Sequence, residues 1–86
     1  MATYTVEDPE QHFFLHGGGS LASLDELFAE LQTMEGHVFN HHVNDAKHDF
    51  SSWVGGSIGD KLLAKNMTFA RSKDDLLKLL FINLFR

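Results

Sequence analysis

The sequence predicts a mainly α-helical domain of four to five short helices with a small N-terminal β-hairpin, spanning residues 1–86. Three observations predict it. Apolar residues recur at helical spacing in several segments, and capping residues stand just before them. The one extended apolar run near the N-terminus stops at three consecutive glycines. At 86 residues the chain is too short for a second core, and 43% hydrophobic content supplies ample material for one.

Tyr4 and Val6 alternate weakly and then meet Asp8-Pro9, which reads as an arm or short strand ending in a turn. His12-Phe13-Phe14-Leu15-His16 is a compact apolar run. Gly17-Gly18-Gly19 turns it and Ser20-Leu21-Ala22 returns, the pattern of a hairpin. Three glycines before a helix could instead cradle a phosphate, but no Lys-Ser or Lys-Thr follows them as in a P-loop.

Ser23-Leu24-Asp25-Glu26 is a capping box that opens a helix. Leu24, Leu27, Phe28 and Leu31 form its stripe, which runs to Met34 and ends near Gly36. Val38, Phe39, His42 and Val43 share a face of a short second helix or of a strongly bent continuation of the first. Asn44 or Asp45 then caps a third, with Ala46, Phe50, Trp53 and Val54 inward and Gly55-Gly56 as its stop. Asp60 caps a brief helix carrying Leu62, Leu63 and Met67, before an irregular Thr68 to Arg71. Ser72-Lys73-Asp74-Asp75 introduces a last helix through Phe85 that is apolar on all faces, so that a small domain can hardly bury it whole.

Composition excludes several functions. No Cys is present, so there is no disulfide framework, thiolate metal site or Cys nucleophile, and the cytoplasm is the default compartment. No stretch is long enough for a membrane span, and the N-terminus lacks the basic and apolar runs of a signal peptide; Met1 reads as a natural start. With a net charge of −5 and Lys and Arg scattered, direct nucleic-acid binding is not expected.

Three constellations could carry function. The chain has six His, and His37 and His41 stand one helical turn apart. With His48 and Asp45 or Asp49 they would supply nitrogen and oxygen ligands for zinc or a similar divalent transition metal. No HExxH-type signature accompanies them, and capping or partly buried histidines explain the same residues. A His general base among His41, His42 and His48, with Asp45 or Asp49, is a further reading, without a nucleophile elbow or cofactor loop to support it. The third is the last helix, whose Leu77, Leu80, Phe81, Leu84 and Phe85 could pack against a second copy or a partner protein, or else form a central core helix. Membrane attachment fits it poorly, since only Lys78 and Arg86 follow the cap.

Phe39-Asn40-His41-His42-Val43-Asn44, His48-Asp49-Phe50, Trp53-Val54, Ile58-Gly59-Asp60 and Leu63-Ala64 resemble a small uncharacterised helical domain of archaeal and bacterial proteins. Its pattern is F-x-x-H-V-N, N-D-F-x-x-W-I, I-G-D and L-A, and the likeness covers about two thirds of the chain. The sequence departs from it at His48, where the pattern has Asn. The resemblance implies a helical fold and an accessory module, and it brings no substrate. The function expected is therefore a non-catalytic interaction module without a cofactor, self-associating through the last helix; the alternatives are a His/carboxylate metal domain and an enzyme with a His base.

Overall fold

A computed structural model describes residues 5–85. Tyr4, expected in the N-terminal arm, and Arg86 lie outside them. Among the described residues are five α-helices and two antiparallel two-stranded ribbons, the mainly helical fold with an N-terminal hairpin that the sequence predicts. The radius of gyration is 11.7 Å, close to the ~12 Å of a compact single body of this length.

Asp8 caps a short turn at Pro9–Gln11, accepting from the Glu10 amide. β1 (Phe13–Phe14) then pairs with β2 (Ser20–Leu21). The turn between them places Gly17, Gly18 and Gly19 at φ of 94°, 119° and 92°, a region L side chains rarely adopt, so glycine is required there. The N-terminal arm lies alongside: Val6 donates its N–H to the Ala22 carbonyl at 2.7 Å.

α1 (Leu24–Thr33) starts as the capping box predicts. The Ser23 hydroxyl accepts from the Glu26 amide, while the Glu26 carboxylate reaches back to the Ala22 N–H. α2 (Gly36–His42) buries Phe39 and His42. The chain then departs from expectation. Asn44 and Asp45 do not cap a helix; they form the bend between β3 (Val43–Asn44) and β4 (Lys47–His48), and Ala46 is exposed rather than inward. Asn44 makes the bend, donating from Nδ2 to the Asn40 and His41 carbonyls at the end of α2 and accepting the Ala46 N–H on Oδ1.

α3 (Asp49–Trp53) buries Phe50 and Trp53, and Trp53 donates its indole N–H to the Gln11 carbonyl at 2.7 Å. Gly55-Gly56 does not end it. The helix continues as a wider π-turn over Val54–Ile58, whose closing bond runs from the Gly59 N–H to the Val54 carbonyl. Gly55 sits where α4 crosses: a Cβ there would lie 3.2 Å from that of Ala64. The stop is Gly59 in the left-handed region, followed by Asp60 as the expected cap of α4 (Lys61–Met67).

α5 (Lys73–Phe85) opens on Ser72, whose hydroxyl accepts the Asp75 N–H. It packs against α1 through Leu76, Leu80 and Leu84, one residue per turn on a single face. Lys73 donates to the Met34 carbonyl at the end of α1, so the two helices run antiparallel and a cation meets the negative end of the α1 dipole. Leu27, Leu31, Leu76 and Leu80 are fully buried, each contributing roughly 2 kcal/mol of apolar burial. α5 is thus a peripheral helix with one covered face, not a central core helix.

Candidate functional sites: the histidine cluster and the outer face of α5

The β3–β4 ribbon decides the fate of the histidines. It turns His48 into the interior, where both ring nitrogens are engaged. Nδ1 accepts the Ser51 N–H and caps α3, which leaves the proton on Nε2, and Nε2 donates to the Ala70 carbonyl at 3.1 Å. Burial holds this imidazole below its ordinary value of 6.5, and the Arg71 charge adds to that; its hydrogen bond to Ala70 opposes both.

His42 is fixed in the opposite tautomer. Its Nε2 accepts the His16 N–H at 3.0 Å, so the proton sits on Nδ1 and is donated to Asp49 Oδ2 at 3.0 Å. The ring is buried against Phe13 and Phe50. Lys47 meets the same Asp49 oxygen at 3.0 Å. Burial pushes the Asp49 carboxyl up, but the bonds from His42 and Lys47 outweigh it and leave the group below its usual range. An imidazole on a carboxylate is the arrangement of a general base, yet the lone pair such a base uses is already occupied by the His16 amide.

His37 and His41 lie on exposed positions of α2. His41 stacks on His16 with ring centroids 3.9 Å apart. Loss of hydration lowers its pKa, as do the nearby charges of His16, Lys47 and His42, against a smaller opposing pull from Asp49. The candidate ligands His37, His41 and His48 are therefore not brought together: the first two face solvent and the third is inside. Among the described residues, no group of three or more His, Asp or Glu is placed to hold a metal ion. No buried polar side-chain atom among them lacks a partner.

The outer face of α5 is the reverse case. Phe81, Ile82 and Phe85 are 54%, 50% and 62% exposed. Phe28 of α1 meets Phe81 and Phe85 at ring-centroid distances of 6.2 and 5.6 Å, and Leu77 is half-buried beside them. Phe28, Gln32, Leu77, Lys78, Phe81 and Ile82 line an open groove of about 460 Å³. Two residues expected on this face do not belong to it. Leu80 and Leu84 are buried against α1, because each sits about 100° round the helix from its exposed neighbour, Phe81 or Phe85. Ile82 and Phe28 replace them; the spacing of Phe28 had placed it in the core stripe of α1.

No protein family model matches the chain, and neither does any curated protein or solved structure. Among the described residues no helix is long and apolar enough to cross a membrane.

Proposed function

We propose that the domain acts by non-covalent association rather than catalysis, and that a second copy of the chain docks on the outer face of α5. The observation that carries this reading is the contiguous exposed surface of Phe81, Ile82 and Phe85 beside the Phe28 groove. A two-fold axis brings such a patch onto itself, and two antiparallel α1/α5 pairs stacked in this way make a four-helix bundle. The three side chains leave roughly 300 Å² exposed, against roughly 800 Å² per partner in a standard interface. The dimer is therefore weak and concentration-dependent. With a net charge of −5 on each copy, added salt screens repulsion and tightens it. A cytoplasmic setting, suggested by the lack of Cys, belongs to the same proposal.

Native mass spectrometry on the whole chain across a concentration series tests it. The expected result is an apo monomer–dimer equilibrium that Phe81→Asp shifts wholly to monomer. A wild-type chain that stays monomeric up to about 1 mM, or one that is a metal-loaded monomer, would sink the reading.

A further inference from the structure

Among the described residues, the two most exposed large hydrophobic side chains are not on α5. They are Leu62, 72% exposed, and Phe69, 78% exposed, one at the start of α4 and the other just past its end. Between them Lys65 and Asn66 are exposed as well, and Lys61 precedes them. Positions 61, 62, 65, 66 and 69 repeat at helical spacing, and the turn continues past Met67 because the Phe69 N–H bonds to the Asn66 carbonyl. The result is one outward stripe roughly 12 Å long in which lysines alternate with apolar side chains.

The charge around this stripe is unlike the rest of the molecule. The chain has 12 acidic and 7 basic residues, yet no Asp or Glu occurs between Lys61 and Lys73. Among the described residues, the carboxylate ion pairs all converge on Asp49, and neither Lys61 nor Lys65 meets one. Lys61 reaches only the Gly55 carbonyl. Asp60 next door caps the Leu63 amide, and Arg71 beyond Phe69 rests on the carbonyls of Asn44 and Thr68. The scattered lysines of the sequence thus become a local positive patch with two apolar anchors.

We infer that the α4 stripe is a docking surface for an acidic segment of a partner protein that carries apolar side chains, its carboxylates at Lys61 and Lys65 and its apolar groups on Leu62 and Phe69. The scale of the field selects this occupant. A peptide laid on the stripe feels mainly the charges within a Debye length of about 8–10 Å, the two lysines and the neighbouring carboxylate, Asp60, whose Oδ1 accepts the Leu63 N–H. An anionic membrane or a duplex nucleic acid is a wider surface, brings more of the chain's acidic residues within that range, and is disfavoured against a peptide. The inference is independent of the α5 dimer, and salt separates the two: it loosens an acidic peptide and tightens the dimer.

The test uses the intact chain and a fluorescein-labelled acidic peptide of about twelve residues with Leu or Phe at every third or fourth position. Fluorescence anisotropy should show saturable binding that weakens about tenfold as salt rises from about 50 to about 500 mM. Amide shifts should move on α4 and not on α5. The exposed double variants Lys61→Glu/Lys65→Glu and Leu62→Ser/Phe69→Ser, with unchanged urea midpoints, should each weaken binding about tenfold. Four outcomes would overturn the inference: no binding by the wild type, equal binding by the lysine variant, shifts confined to α5, or tighter binding to phosphatidylserine vesicles or duplex DNA than to the peptide.

Discussion

The ribbon-and-helix region from α2 to α3 and the α1/α5 pair treat their surplus side chains in opposite ways. In the first, the buried polar groups are matched within the chain: His42 and His48 use all four ring nitrogens between them. In the second, the rings of Phe81 and Phe85 meet Phe28 and each other and are otherwise more than half exposed. A rich set of chemically capable residues is thereby engaged within the fold, and an apolar helix keeps one face exposed. Residue type alone therefore misleads about which part of a small domain is available for function.

The sharpest way to break this comparison is within α5, where neighbours differ. Leu80→Ala removes a fully buried side chain and should cost about 3 kcal/mol in urea denaturation. An effect under about 1 kcal/mol would mean that α5 is not docked on α1. Next in size is His48→Ala, which leaves the Ser51 N–H and the Ala70 carbonyl without partners in the interior. It should cost about 2–3 kcal/mol by the same measurement, and a neutral result would show the polar region to be expendable.

A smaller effect comes from pH. The folded state holds the imidazole of His48 below 6.5, so the unfolded chain takes up a proton first. That contribution is complete above about pH 6.5 and declines as pH falls below it. Asp49, also lowered, adds its own loss only further down, as pH falls below the ordinary carboxylate value of 3.8. The urea midpoint should therefore drop between pH 7 and pH 5. His48→Asn, which keeps an N-capping side chain without a titrating ring, should reduce the drop, leaving the part that comes from His41, whose imidazole is also held below 6.5. A slope unchanged in that variant would assign it to another group. Smallest of all is Phe81→Asp on the outer face, which should leave the unfolding free energy within about 0.5 kcal/mol of wild type while abolishing the proposed dimer.

What was legible in the sequence was local. Ser23 and Glu26, Asp60, and Ser72 all cap the helices that their spacing announces, since each bond spans only three or four residues. The β3–β4 ribbon was not legible, because two-residue strands are too short to show a period and His48 is not among the usual capping residues. Gly55-Gly56 read as a stop on intrinsic preference, whereas the close approach of Ala64 gives Gly55 a reason to stay inside the helix. The two faces of α5 could not be told apart for a different reason. A helix apolar all round carries no pattern to orient it, and only the position of α1 separates Leu80 and Leu84 from Phe81 and Phe85.

The π-turn makes the number of residues between Trp53 and Asp60 as important as their kind. The Val54 carbonyl is met by the Gly59 and Asp60 amides rather than by an amide four residues on. Deleting Gly56 alone would let the segment close as an ordinary helix and rotate everything after it by roughly 100°. Asp60 would still cap α4, but the helix and its Lys61 to Phe69 stripe would swing away from their present direction. Descendants of this chain can exchange Gly56 for another residue more readily than they can lose it.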